Sequence, residues 1–172
     1  MENKLKTTAK RTAILGLCVS CALILSYVEL LIPPITVAVP GIKMGLANVM
    51  TVFVLYRFGI KSAAAVSGGR IILSTLLFGS AVSFVYSFLG GVLSLVAMWG
   101  LVKIDKLSHV GVSAVGGVIH NAGQIIGAVI LMGSGKIAYY FPVLAISGTI
   151  SGIFVGLLGA IMLKNLRNVK LY

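Results

Sequence analysis

The chain has 172 residues, 59% of them hydrophobic and only 10% charged, with a mean hydropathy of +1.11. A soluble domain carries about a quarter charged residues because most of its surface faces water, so this composition excludes a water-soluble enzyme. Three acids, Glu2, Glu29 and Asp105, stand against fourteen Lys and Arg, giving a net charge of +11. The basic residues fall in clumps between apolar runs, as cytoplasmic loops of a membrane protein do, and not in the continuous stripe that nucleic acid requires.

Hydropathy predicts six transmembrane helices, at about 12–32, 44–58, 62–79, 82–102, 109–132 and 138–163. They fill residues 1–172 as one all-α membrane domain. A span in lipid must satisfy its own backbone, and the strict alternation of a barrel strand is missing. The first segment follows Lys4, Lys6, Lys10 and Arg11 as a signal peptide would. Its apolar stretch, however, continues to Ile32 without a small-residue cleavage site, so it reads as a retained helix. Cys18 and Cys21 have the spacing of a redox pair, yet neighbours such as Val19 and Ala22 offer nothing to stabilise a thiolate. They read as small packing residues.

Pro33 and Pro34 stop the first helix, and Pro40-Gly41 favours a turn in the long connection that follows. The second segment is short for a span and is expected to begin earlier, to tilt, or to start in a half-buried loop. Gly123 and Gly127 on the fifth segment, and Gly148, Gly152 and Gly156 on the sixth, form ridges that let helices approach closely. A phosphate loop would need a strand-to-helix turn, which these glycines do not follow. Gly133, Ser134 and Gly135 make the turn before the sixth helix.

Positive charge sets the expected orientation. With the N-terminus inside, the cytoplasmic side receives Lys4, Lys6, Lys10, Arg11, Arg57, Lys61, Lys103, Lys106, Lys164, Arg167 and Lys170. The outside receives Lys43 and Lys136 only, so the positive-inside rule places both termini in the cytoplasm.

Candidate functional residues are the polar ones that lipid would not tolerate. Arg70 falls near the middle of the third span, where a charge costs about 2.5–3.5 kcal/mol on the insertion scale, so it must face protein or a wet cavity. It either pairs with Glu29, the only acid within a span, or serves as counter-charge to an anionic ligand. His120, Asn121 and Gln124 put a polar cluster on the fifth helix, which either binds ligand or bonds to other helices. Asn48, after the Pro-Gly turn and near Lys43, and Tyr86, with Ser83 and Ser87 in the outer half of the fourth helix, are further candidates to line a cavity. His109 stands at a loop boundary and reads as solvated, while Tyr139 and Tyr140 read as interfacial anchors. A single mid-span histidine without a carboxylate cluster argues against a metal site.

The strings PGIKMGLANVMTVFVLYRFG, RIILSTLLFGSAVSFVYSFLGGVLSL, GVSAVGGVIHNAGQ and YYFPVLAISG resemble the Gx transporter family, also named heptaprenyl diphosphate synthase component I. The resemblance runs from about Thr12 to Leu163, and PGIKMGLAN and HNAGQ are its most specific parts. That family in turn resembles the S components of energy-coupling factor transporters, six-helix proteins of the bacterial cell membrane that capture micronutrients. The resemblance implies a transmembrane coupling subunit and two ATPase subunits as partners, with an AxxxA on the first helix, here Ala9 and Ala13, meeting the coupling subunit. With the polar residues above, this leads to an expected substrate site near Glu29, Lys43, Asn48, Arg70, Tyr86, His120, Asn121 and Gln124, with no cofactor. The synthase name implies instead a membrane partner of a separate catalytic subunit, and a membrane subunit serving a flavoprotein in electron transfer is a third reading. Catalysis by the chain itself is not expected. Prenyl diphosphates are held through magnesium on aspartate-rich motifs, and one aspartate, Asp105, is present; a Walker motif is missing as well.

Overall fold

The computed structural model describes residues 2–31 and 45–167, with side chains from Thr8 onward. Six α-helices follow one another in these residues: α1 (Glu2–Leu31), α2 (Asn48–Phe58), α3 (Ile60–Phe78), α4 (Ala81–Ile104), α5 (His109–Met132) and α6 (Phe141–Asn165). A 3-10 turn, Gly135–Tyr140, leads into α6, so the last expected span opens as a tighter coil before its α-helix begins. Pro142 is accepted there because the first turn of a helix needs no backbone donor.

The junctions follow local chemistry. Ser80 and Ser108 cap α4 and α5 by accepting hydrogen bonds from the backbone N–H of Ser83 and Gly111, both at 3.1 Å. Gly59 is the single residue between α2 and α3, and its φ of +82° explains why it is glycine. Gly133 closes α5 in the left-handed region, where the Gly-Ser-Gly string predicts a turn.

Five helices are long and apolar enough to cross a membrane. The second expected span is the exception among the described residues, and it is short, as its apolar run suggested. α2 has 11 residues, which rise about 16 Å against a hydrocarbon core of about 30 Å. It is hydrophobic on nearly all sides because its neighbours enclose it: Val49 and Thr51 through Leu55 are buried among α1, α3, α4 and α6. Val52, Phe53, Val54 and Leu55 meet Leu95, Met98, Val112 and Val155 in the main apolar core. Cys18 and Ala63 join that core, and both cysteines are free thiols.

The exterior inverts the soluble pattern. Leu17, Leu76, Ile130, Ile146 and Ile150 are each more than 60% exposed, whereas Glu29, Arg70, His120, Asn121 and Gln124 are buried. Apolar outside and polar within is the arrangement lipid selects. The glycine ridges behave as expected and hold the tightest joint. A Cβ at Gly117 would lie 2.1 Å from the carbonyl oxygen of Gly148, and one at Gly152 would lie 2.6 Å from that of Ser113, so α5 and α6 touch backbone to backbone. On the other side of α5, Gly123 meets Gly90 and Leu89 of α4.

Candidate functional site

The buried polar residues converge between the helices. Arg70, on α3, is 5% exposed. Its Nη2 donates to Oδ1 of Asn48, the first residue of α2, at 3.4 Å, and its Nε has no hydrogen-bond partner among the described residues. Glu29, near the end of α1, accepts a hydrogen bond from the backbone N–H of Gly45. It lies within electrostatic reach of Arg70, which in turn reaches His120. The direct hydrogen bond of the guanidinium is thus to an amide.

α5 divides its polar residues between two neighbours. Successive residues on a helix point about 100° apart, so His120 and Asn121 face different partners. Asn121 donates through Nδ2 to the carbonyl of Leu144 on α6 at 2.7 Å. The His120 ring lies against Gly90 of α4, where a Cβ would come within 3.1 Å of it. One turn on, the Gln124 amide stands 3.2 Å from His120 Nε2, which fits an amide donating to the unprotonated nitrogen. That leaves Gln124 Oε1 without a partner among the described residues, while His120 Nδ1 sits against the backbone of Gly90. Tyr86 is fully buried beside Gly127, Ala128 and Ile137, and its hydroxyl is likewise unpartnered.

Sequence reasoning missed two further buried hydroxyls. Ser26 and Thr51 are each 2% exposed, and their hydroxyls have no partner among the described residues. Ser26 lies three residues before Glu29 and Thr51 three after Asn48, so the helical i, i+3 spacing was the available signal. Of the other expected positions, Lys43 lies outside the described residues. Ala9 and Ala13 are exposed on α1, beside Arg11, whose guanidinium ties α1 to the start of α3 through Ser62 Oγ at 2.8 Å. Ser83 and Ser87 are half-buried. His109 is exposed, but its ring also packs on Tyr56 with centroids 4.3 Å apart, so it is less free than a solvated residue. No group of three or more His, Cys, Asp or Glu residues suited to a metal ion occurs among the described residues.

A cavity of about 10 Å³ lies between α2, α4, α5 and α6, with Asn48, Ser94, Ser113, His120 and Ser151 in its walls. That volume suits roughly one water molecule. Anything larger requires the helices to part. The wall serines are partly committed: Ser94 donates to the Gly116 carbonyl at 2.8 Å and Ser151 to that of Gly148 at 3.3 Å. Chemically, the centre holds one guanidinium, one carboxylate, one imidazole, amides and hydroxyls, a set that recognises polar groups by hydrogen bonding and charge.

Five bilayer-length helices around a short enclosed one, apolar at the exterior and polar at the centre, define a multi-pass membrane protein. The chain belongs to the heptaprenyl diphosphate synthase component I family, whose family model matches residues 18–162. Component I is the non-catalytic component of that synthase, in keeping with a chain that holds one aspartate. No curated protein and no solved structure matches the chain.

Proposed function

We propose that the chain is the substrate-capturing membrane subunit of a transporter of the energy-coupling factor type. One observation carries this reading: hydrogen-bonding atoms on Ser26, Thr51, Arg70, Tyr86 and Gln124 are buried without partners among the described residues. Each such atom costs about 1–3 kcal/mol in a purely structural role, so several of them call for water or a ligand. The ligand site comprises Glu29, Asn48, Arg70, Tyr86, His120 and Gln124, with Asn121 holding α6 beside it and Lys43 in the segment leading to α2. In this reading both termini are cytoplasmic. Ala9 and Ala13 meet the coupling subunit, and two ATPase subunits supply the energy that a chain without a nucleotide loop lacks. The location is a bacterial cell membrane.

The family description favours a second reading, a membrane partner of a separate prenyl diphosphate synthase subunit. The experiment that separates them is affinity purification of the tagged full chain from its native membrane in mild detergent. Two ATPases and a membrane coupling protein are expected with it. A soluble prenyl synthase as the stoichiometric partner would establish the second reading, and a flavoprotein would overturn both.

A further inference from the structure

We propose that the captured molecule is an anion, and that Arg70 holds its carboxylate or phosphate group; this rests on the capture reading above. Arg70 is the charge at the centre whose donors are not used up. Its one hydrogen bond, to Asn48, is 3.4 Å long, beyond the usual 2.7–3.2 Å range, and its Nε has no partner among the described residues. Were the guanidinium present only to neutralise Glu29, a close fork-to-carboxylate pair at about 2.7–2.9 Å would be expected. Instead Arg70 bonds to an amide, while the Glu29 carboxylate is engaged by the N–H of Gly45.

The position of Asn48 completes the geometry. It forms part of the cavity wall and His120 another; Arg70 and Gln124 are not in the wall, but each is hydrogen-bonded to one of these two wall residues. Behind His120, Gln124 presents a free carbonyl acceptor, Oε1. Spare donors on one side and a spare acceptor on another suit a molecule with an anionic group and, apart from it, a neutral N–H or O–H donor. A planar guanidinium is the side chain that matches carboxylate and phosphate oxygens two at a time.

The test uses the full chain, purified in detergent from its native membrane, denatured and partitioned between aqueous and organic phases before mass spectrometry. The wild type is expected to release a molecule into the aqueous phase that carries a carboxylate, tagged by carbodiimide coupling to an amine, or a phosphate, released by phosphatase. In Arg70→Gln its amount should fall more than about tenfold, as expected on losing one partner of a buried charge pair. Arg70→Lys, which keeps the charge but not the fork, should retain an intermediate amount. A neutral or cationic molecule in the wild type would overturn the anion inference and leave capture standing. An anion lost with Arg70→Gln only from the organic phase is a lipid headgroup; it would support the inference and overturn transport of a soluble nutrient. No bound molecule in the wild type would overturn both. The paired variant Arg70→Gln with Glu29→Gln guards against misfolding: full occupancy restored by it would show that Arg70 serves only Glu29, against the proposal.

Discussion

Tyr86, Gln124 and Asn121 are all buried polar residues but stand in different situations, and substitution should separate them. The Tyr86 hydroxyl is buried with no partner among the described residues, so Tyr86→Phe is expected to remove an atom that contributes only its desolvation cost. Thermal unfolding in detergent should show Tyr86→Phe unchanged or stabilised by about 1 kcal/mol, with less co-purifying small molecule; a clear loss of stability would mean that the hydroxyl is bonded in the native membrane. Asn121, by contrast, has a short bond to Leu144 on α6. Asn121→Ala should destabilise by about 0.6 kcal/mol, the average for such bonds between membrane helices, and should change ligand content less than Gln124→Leu does. Equal loss of ligand in both would put Asn121 in the pocket itself.

At the scale of helices, the α5–α6 joint is set by absent side chains. Gly117→Ala would drive a methyl group into the Gly148 carbonyl, which lies 2.1 Å from the Cβ position and belongs to a backbone that cannot rotate away. A loss of about 1–3 kcal/mol is expected, as for overpacked cores, read as a lower unfolding temperature. Gly16 on α1 has nothing within 4 Å of its Cβ position, so Gly16→Ala should leave stability unchanged or raise it. If both substitutions behaved alike, the close contact of α5 and α6 would be wrong. The ridge of Gly148, Gly152 and Gly156 was legible because small residues every four positions share one helix face. Its partner surface, Gly117, Ser113 and Val110, was not, since nothing in one helix's spacing says which neighbour it meets.

For the molecule as a whole, the testable quantity is which side of the membrane each end faces. By the positive-inside rule, eleven positive charges on one side against Lys43 and Lys136 on the other predict that both termini are inside. In a chain with Cys18 and Cys21 changed to serine, a cysteine introduced at position 136 should react with an impermeant maleimide from outside, and one at 106 only after the membrane is opened. Labelling at 106 in sealed cells would show an odd number of crossings between the N-terminus and that loop, as would follow if α2 did not take part in a crossing. The same enclosure of α2 places Asn48 beside Arg70, so the topology and the polar centre depend on one short helix.

Composition and hydropathy by themselves determined the membrane class, the all-helical fold and the ends of α3, α4 and α5 to within about two residues, because lipid imposes one backbone solution and Gly, Ser and Pro punctuate it. They also singled out Arg70, His120, Gln124 and Glu29, since a polar group in an apolar run is visible without knowing its neighbours. Only the tertiary structure decided that α2 is a buried core helix, that Asn121 turns to α6 while its neighbour His120 turns to α4, and that Arg70 bonds to Asn48 across 22 residues of chain. The reason is physical: hydropathy reports how much a residue avoids water, whereas its partner depends on the rotation and packing of whole helices, to which a run of apolar residues is nearly blind.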